Sequence, residues 1–282
     1  MVDNKNKILA VVKDYTVSNQ TFGLLYNVNL DMLETFPKPN PNELHRYYES
    51  KNYISHTDST TTLFDKLYQF VKNFTIKNKV GLINSLKTAQ KNLLDIGAGT
   101  GDFCVAAQNQ NWTTTAVEPN ASAIQIIENK NVNYVKNTID LQTNNYDCIS
   151  MWHVLEHVSD LEAQFLELKR LLKRDGSIVI AVPNYKSYDA AHYGRFWAAF
   201  DVPRHLWHFS QNSIKRLAQK NGFTVVQILP MKLDSFYVSL LSEKYQFGKI
   251  KWLNAFYIAF KSNLKARKTG QYSSLIYVLK NQ

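Results

Sequence analysis

Cysteine is scarce in this sequence: its 282 residues include two, Cys104 and Cys148, each inside an apolar segment. Two thiols cannot build a disulfide framework or a metal cluster by themselves, and their apolar neighbours predict reduced, buried side chains in a cytoplasmic protein. Long hydrophobic runs are also missing, since none approaches the roughly 18 to 20 apolar residues that cross a bilayer. The apolar run 8–12 is too short for a secretory signal, and no small-residue cleavage site follows it. Hydrophobic residues still make up 45% of the chain, which is enough for a real core and excludes a disordered protein.

Acidic residues are absent from one whole segment of the chain. Residues 245–282 contain no Asp or Glu but seven Lys or Arg, which supply +7 of the net charge of +10. We interpret this charge as a solvated basic face, and attraction of nucleic acid or of an anionic membrane is the alternative. No nucleic-acid-binding module is recognisable, which disfavours a nucleic-acid partner.

Residues 249–265 of this basic segment have helical periodicity. Large apolar residues recur at spacings of three and four: Leu253, Phe256, Tyr257, Phe260 and Leu264. The pattern predicts an amphipathic helix that packs these residues on a sheet. A helix lying on a membrane surface is the alternative, because lysines flank the apolar residues.

The chain divides near residue 88. Residues 1 to about 40 read as short strands and turns that end at Pro37, Pro39 and Pro41, where three prolines exclude a helix. Residues 42–88 are mostly helical in pattern. We therefore predict an N-terminal extension, 1–88, ahead of the main domain, 89–282.

In the main domain, apolar strands alternate with helices. The predicted strands are 91–96, 113–117, 134–135, 146–151, 177–182, 224–231 and 273–279. A capping box at Ser159–Glu162 and a cap at Ser210 predict two helix starts, and Asp175–Gly176 predicts a turn. This alternation predicts an α/β fold, a mostly parallel sheet with helices on both faces and a ligand at the carboxyl ends of its strands.

A glycine-rich turn follows the first strand of the main domain. The sequence runs from Leu93 to Phe103 through Asp95, Gly97, Ala98, Gly99 and Gly101. Glycines let the backbone turn tightly and approach a ligand closely. In the dinucleotide pattern the third glycine comes one place later, where this chain has Asp102, and a carboxylate there disfavours a pyrophosphate. The turn suits a cofactor that carries positive charge and no phosphate.

Two further segments place polar residues at strand ends. Glu118 ends the second strand, and its distance from Gly97 suits an acid that accepts hydrogen bonds from both hydroxyls of a ribose. The apolar strand that begins at Tyr146 opens into the polar run Trp152–His157. Carboxyl ends of parallel strands meet at one edge of a sheet, so we expect these residues to face the same ligand.

These three segments, in this order, resemble class I S-adenosylmethionine-dependent methyltransferases. The resemblance covers about residues 90–230 and implies a Rossmann-like seven-stranded sheet whose last strand is antiparallel. It implies S-adenosyl-L-methionine as cofactor, with roles for residues that match the family's motifs. Those at the methionine end are Asp95, Gly97, Ala98, Gly99 and Gly101; those at the ribose are Glu118 and Pro119; those beside the adenine are Thr138 and Ile139; those at the reactive end are Trp152 and His153.

A narrower resemblance comes from Trp152–Val158 and Asp201–Ser210. Both segments are similar to a bacterial subgroup of small-molecule methyltransferases. Members of that subgroup commonly carry a zinc-ribbon-like cysteine pair before a Thr-x-Pro-x-Pro segment. Here Thr35–Pro39 is present without the cysteines, so we predict no zinc site at the N-terminus.

The acceptor side is predicted from histidines and a long insertion. A hydroxyl acceptor must lose a proton, so we predict His153 first and His157 second as the general base. Residues 183–210 form an aromatic insertion between a strand and a helix, and such loops commonly carry function. Its predicted acceptor ligands are Tyr188, His192, Arg204, His205 and His208; a purely structural cover is the open alternative. Tyrosines and a histidine of the extension form either a lid or core packing: Tyr47, Tyr48, Tyr53 and His56.

Several other functions compete with this interpretation. Residues 153–157 match the H-x-x-E-H zinc pattern, but that motif needs a helix with both histidines on one face, and here a strand runs into it; we predict no metal. The glycine spacing disfavours a nicotinamide enzyme. A non-catalytic S-adenosylmethionine-binding protein, and an enzyme acting on a lipid-linked or nucleic-acid acceptor, stay as alternatives. The prediction is methyl transfer to a small molecule, with oxygen as the favoured atom and the oligomeric state open.

Overall fold

The computed structural model describes residues 7–40, 43–48, 63–86, 88 and 90–282. In these ranges the strands are β1 (Ile8–Lys13), β2 (Thr21–Asn27), β3 (Met32–Phe36), β4 (Asn92–Ile96), β5 (Thr113–Val117), β6 (Asn133–Val135), β7 (Tyr146–Trp152), β8 (Leu172–Pro183), β9 (Trp207–His208), β10 (Phe223–Pro230) and β11 (Ser274–Asn281). The helices are α1 (Leu63–Ser85), α2 (Asp102–Gln108), α3 (Ala121–Asn129), α4 (Leu161–Leu171), α5 (Tyr188–Tyr193), α6 (Gln211–Lys220), α7 (Asp234–Phe247) and α8 (Trp252–Thr269).

Seven strands form the main sheet, in the order β10-β11-β8-β7-β4-β5-β6. The strands from β4 to β8 pair in parallel, and helices connect most of them as crossovers. β11 runs antiparallel between β8 and β10. The predicted seven-stranded, mostly parallel sheet with an antiparallel last strand is confirmed.

Helices cover both faces of this sheet. Alternate residues of β8 belong to different clusters: Ile178, Ile180 and Val182 pack with Phe165 and Leu168 of α4, among others. The intervening Val179 and Ala181 pack with side chains of α1 and α2. Side chains alternate across a strand, so a strand covered on both faces reads as a continuous apolar run.

Two local predictions in the main domain were wrong. Helix α4 is capped by Asp160, whose Oδ1 accepts from the backbone N–H groups of Glu162 and Ala163 at 2.9 and 3.1 Å, and not by Ser159. An aspartate one residue later offers the same acceptor to a helix that begins at Leu161. The expected turn at Asp175–Gly176 lies within β8, whose pairing with β7 is irregular near Tyr146, so the strand continues through it.

The N-terminal extension and the aromatic insertion form one antiparallel sheet, in the order β1-β2-β3-β9. Leu33 pairs with His208 and Glu34 with Trp207, which joins the two segments. A separate core lies under this sheet, where Phe22 and Leu24 pack with Trp197 of the insertion. The insertion therefore builds a second hydrophobic cluster, as its structural alternative predicted.

Helix α8 contradicts the predicted packing face. Its buried residues are Ala255, Ile258, Ala259, Ser262 and Ala266. The large apolar residues expected in the core point outward: Leu253 is 90% exposed, and Tyr257 and Phe260 are each 58% exposed. Small side chains on α8 and α7 let the two helices approach closely, as the Ser235 hydroxyl shows by donating to the Ala259 carbonyl at 3.4 Å. Within the described ranges, no helix is long and apolar enough to cross a membrane.

Candidate cofactor and acceptor site

The glycine turn between β4 and α2 has a backbone conformation that only glycine adopts readily. Gly97, Gly99 and Gly101 have φ of +72°, +55° and +74°. The N–H groups of Gly97 and Ala98 both donate to the Val117 carbonyl, at 2.8 and 3.1 Å, which ties the turn to the end of β5. A Cβ on Gly97 would overlap the Val154 side chain, whereas one on Gly99 would meet no described atom within 4 Å. The turn is packed on one side and open beside Gly99.

Glu118 closes this open space from the end of β5. Its Oε2 accepts from the Gly99 N–H and its Oε1 from the Asn120 N–H, each at 2.9 Å. The residue is 8% exposed. Each oxygen keeps a further acceptor position, so a carboxylate held in this way can still accept from a diol. Pro119, next in the chain, is exposed, and Asn120 caps α3.

A buried acid and a half-buried lysine interact behind the turn. Asp95 is buried and accepts from the Ser150 hydroxyl at 2.6 Å. Burial raises its pKa to about 6, against the Ser150 hydrogen bond and the charge of Lys79. Burial also lowers the pKa of Lys79, which the charges of Asp95 and Asp234 oppose. These two side chains place one anion and one cation beside the glycine turn.

Lys79 was missed by sequence reasoning. It lies on α1, with its ammonium 4.4 Å from the centre of the Trp152 ring. Ile76, Val80 and Ile83 occupy the apolar face of this helix, and Lys79 falls among them at helical spacing. A lysine on the buried face of a helix is the signal that could have identified it.

Trp152 ends β7 at the same edge of the sheet. Its ring packs against Phe103 with centroids 5.5 Å apart. The indole N–H is buried and has no hydrogen-bond partner among the described residues. A buried donor without a partner is unfavourable, so this group is available to a ligand.

The predicted adenine flank follows β6. Ile139 is 77% exposed, and the Thr138 carbonyl accepts from Arg170 at 3.0 Å. An exposed isoleucine at this edge offers an apolar surface that a flat base can cover. The two residues stay predicted contacts.

The donor set fits S-adenosylmethionine. Glu118 contacts the open side of the turn at Gly99 and is suited to ribose hydroxyls, and Asp95 and Lys79, whose charges interact, are suited to an ammonium and a carboxylate. Asp102 stands at the start of α2, where a pyrophosphate would bind, and pairs with Lys130 at 2.6 Å. The site therefore favours a cofactor with an amino-acid end and no phosphate.

His153 follows Trp152 directly, with φ of +58°. Its Nε2 lies 3.1 Å from Asp234 Oδ2 and its Nδ1 3.3 Å from Glu156 Oε1. Burial lowers the pKa of His153, but the two carboxylates outweigh that effect and raise it to about 10. The side chain is 35% exposed, so solvent screens part of this effect while the direction follows from the two anions. At neutral pH the ring carries both protons.

His157 is held differently. Its Nδ1 lies 3.1 Å from the Arg204 carbonyl oxygen and 3.0 Å from the Tyr48 hydroxyl. Burial and the nearby His205 lower its pKa to about 4. Tyr48 therefore contacts this part of the site, whereas Tyr47 donates its hydroxyl to Gln20 at 3.0 Å, and the lid stays a prediction. Tyr53 and His56 lie outside the described residues.

The side chains of Arg204 and His208 are buried and hydrogen-bonded to other residues of the chain. Arg204 is 1% exposed, and its guanidinium donates to both Asp201 oxygens, at 2.9 and 2.6 Å, and to Asp14 at 3.2 Å. His208 is buried, with Nε2 3.0 Å from the Thr35 hydroxyl. Donors used in this way are not free for an acceptor, so the geometry favours structural roles for both residues.

The remaining predicted acceptor ligands separate into two places. The Lys265 ammonium lies 4.0 Å from the centre of the Tyr188 ring. His192 packs next to the same tyrosine and is exposed. His205 is buried beside His157, with ring centroids 4.6 Å apart. The structure thus brings His153, His157 and His205 together, and places Tyr188 and His192 against α8.

Comparison with known proteins agrees with this geometry. A family model described as a methyltransferase domain matches residues 62–228, more than half of the chain. Geranyl diphosphate C-methyltransferase from Streptomyces coelicolor A3(2) superposes with a TM-score of 0.54, at 15% identity, over 80% of this chain and 87% of its own. A SAM-dependent methyltransferase from Thermotoga maritima gives 0.51, at 19% identity, over 77% and 94%. At these identities the structures show the fold alone.

A curated relative adds a sequence match. The ubiquinone biosynthesis O-methyltransferase of Rickettsia bellii (strain OSU 85-389) is 25% identical over 153 residues, 51% of this chain and 63% of the relative. The match thus spans less than two thirds of that protein.

The order of the strands in the main sheet and the glycine turn after β4 together define a class I methyltransferase fold. The chain belongs to the S-adenosylmethionine-dependent methyltransferase family, and S-adenosylmethionine is the cofactor that its site residues fit.

Proposed function

We propose that the protein transfers a methyl group from S-adenosylmethionine to an oxygen atom of a small-molecule acceptor. The observation that carries the proposal is the convergence of the open glycine turn, Glu118 and the Asp95–Lys79 pair beside His153, at one edge of the sheet. The O-methyltransferase name of the curated relative supports oxygen as the methylated atom.

The residues have distinct roles in this proposal. Glu118 binds the ribose, Asp95 the ammonium and Lys79 the carboxylate of the cofactor, which supplies a methyl group on a positively charged sulfur. Alignment of the acceptor with that methyl group provides much of the rate. The bond from methyl to sulfur breaks as the bond from methyl to oxygen forms, and the hydroxyl proton leaves to a base.

We place the proton transfer at the His153–Asp234 pair. The His153 ring already carries both protons at neutral pH, so it orients the pair and donates hydrogen bonds. The Asp234 carboxylate is then the group that receives the hydroxyl proton. This assignment differs from the sequence prediction, which made His153 itself the general base, and it adds Asp234 to the site.

Calorimetry and a transfer assay test this function. Titration with S-adenosylhomocysteine should show micromolar or tighter binding, and titration with NAD should show none. A screen of hydroxyl compounds with labelled S-adenosylmethionine then identifies the acceptor. Folded protein that binds no S-adenosylhomocysteine would contradict the cofactor site, and binding without transfer to any acceptor would support a non-catalytic protein.

The exposed face of α8 favours an acceptor at a membrane surface as a second candidate function. Its exposed large side chains are Trp252, Leu253, Phe256, Tyr257, Phe260 and Leu264. Basic residues surround them, and residues 245–282 contain no acid. An apolar helix face flanked by lysines suits an anionic lipid surface, where apolar burial and charge act together.

Vesicle sedimentation tests this second candidate. The protein should bind vesicles containing phosphatidylserine at low salt and bind less at high salt. Leu253→Ser with Phe260→Ser should reduce binding about tenfold, and Leu166→Ser, at a 61% exposed leucine on α4, should not change it. No binding of the wild-type protein at low salt would end the membrane proposal.

A further inference from the structure

Three potential metal ligands meet beside the cofactor site. Glu156 and His157 belong to the short turn Leu155–His157 that follows β7, and His205 comes from the aromatic insertion. One ligand atom from each residue lies within 4.8 Å of the others. Glu156 and His205 are buried, and His157 is half-buried. The cluster is therefore partly open to a small ligand.

The hydrogen bonds of the two histidines orient them as metal ligands. His157 Nδ1 lies 3.1 Å from the Arg204 carbonyl oxygen, and His205 Nδ1 lies 2.9 Å from the Ala199 carbonyl oxygen. A carbonyl oxygen only accepts, so each Nδ1 donates to its carbonyl, His157 Nδ1 with the Tyr48 hydroxyl also 3.0 Å away, and Nε2 is the ring nitrogen left to bind a metal. Histidines that bind metals are commonly held in this way, with the other nitrogen donating to a backbone carbonyl.

The Glu156 carboxylate is paired through one oxygen only. It is 1% exposed, and its Oε1 lies 3.3 Å from His153 Nδ1 as an ion pair. Its Oε2 has no hydrogen-bond partner among the described residues. The chain around it is fixed, because the Leu206 N–H donates to the Glu156 carbonyl at 2.8 Å. A buried carboxylate oxygen without a partner is unfavourable, and a cation bound at Oε2 would remove that cost.

We propose that Glu156, His157 and His205 bind one divalent transition-metal ion of the zinc class. Two imidazoles and one carboxylate are a common donor set for such ions, and three protein ligands leave at least one position for water or an acceptor oxygen. The ion links the turn after β7 to the insertion. The ligand set differs from the H-x-x-E-H pattern, because His153 faces Asp234 and His205 takes the place of the first histidine.

Metal binding tests the proposal independently of methyl transfer. Tag-free, full-length protein is stripped with a chelator, dialysed and titrated with Zn²⁺ by calorimetry and with Co²⁺ by absorbance. One equivalent of Zn²⁺ should bind with micromolar or tighter affinity, and Co²⁺ should give visible bands of a low-coordinate site. X-ray absorption of the wild-type complex should show two imidazoles with oxygen ligands, a result that needs no variant.

Variants locate the ion. Glu156→Gln, His157→Ala and His205→Ala should each weaken binding about 100-fold or more, because each removes a ligand from the metal. His192→Ala is the matched control, since His192 is exposed and lies outside the cluster, and it should bind as the wild type does. No stoichiometric binding by the wild-type protein, or unchanged binding by folded His157→Ala and His205→Ala, would overturn the proposal.

Discussion

Replacement of Glu118 is the sharpest test of the cofactor site. Its carboxylate accepts two backbone N–H groups at 2.9 Å and, in the proposed complex, both ribose hydroxyls. A hydrogen bond to a charged group contributes about 1.5–3 kcal/mol, so Glu118→Ala should weaken S-adenosylhomocysteine binding by about 10- to 100-fold. Calorimetry on the purified variant measures this change.

A structural effect must be separated from the binding effect. Glu118→Ala also leaves the Gly99 and Asn120 N–H groups without their acceptor, which should lower the free energy of unfolding by about 1–3 kcal/mol. Glu118→Gln keeps one acceptor oxygen, so it should lose less cofactor affinity and less free energy of unfolding than Glu118→Ala. Glu162→Ala removes a 64% exposed carboxylate elsewhere and should change neither. An unchanged Kd in folded Glu118→Ala would refute the ribose assignment.

Three further predictions concern neighbouring groups. Lys79→Gln should weaken S-adenosylhomocysteine binding about tenfold but leave adenosine binding unchanged, since only the former has a carboxylate; equal losses for both ligands would contradict the assignment. The pKa of His153 is raised from 6.5 to about 10 in the folded protein, so its stabilisation is complete below about pH 6.5 and is lost as pH rises toward 10. Asp234→Asn should therefore lower stability by about 1 kcal/mol at pH 6 and by less at pH 10, as denaturant unfolding at both pH values can measure; a penalty that grows with pH would contradict the ion pair. Gly97→Ala should destabilise the protein by about 2 kcal/mol or more because of its φ and the Val154 overlap. Gly99→Ala shares the strained φ without the overlap, so it should destabilise less and should also impair cofactor binding. Thermal melting and calorimetry distinguish the two, and a stable, fully binding Gly97→Ala would refute this interpretation of the turn.

Sequence reasoning worked best where local patterns determine structure. The strands of the main sheet, the glycine turn and the cap at Ser210 follow from apolar periodicity, backbone conformation and side-chain acceptors a few residues apart. Some wrong or missing predictions also concerned local structure. Asp160 and Ser159 are both good caps, and the pattern alone did not choose between them. Helix α7 was not predicted, and Asp234 at its start was missed with it.

Side-chain partners from distant segments could not be predicted in this way. Arg204 looks like an anion ligand in sequence, yet two acids neutralise it in the interior: Asp201, three residues earlier, and Asp14, 190 residues earlier. Of these, the contact with Asp14 depends on the tertiary structure. The apolar stripe of α8 looks like a core face, yet small residues on α7 favour close packing against the opposite, small-residue face. Such choices depend on which surfaces meet, and helical periodicity does not contain that information.

The amino-acid sequence by itself therefore determined the class of fold and the cofactor, and it predicted the edge of the sheet where the cofactor should bind, because these follow from short-range glycine and strand signals. Only the tertiary structure decided which histidine meets which carboxylate. His153 is paired with Asp234 at the start of α7, and His205, in the insertion that β3 joins to the N-terminal sheet, lies near Glu156 and His157. Protonation and metal affinity depend on distances of a few ångströms between such groups, and those distances exist only in the folded chain.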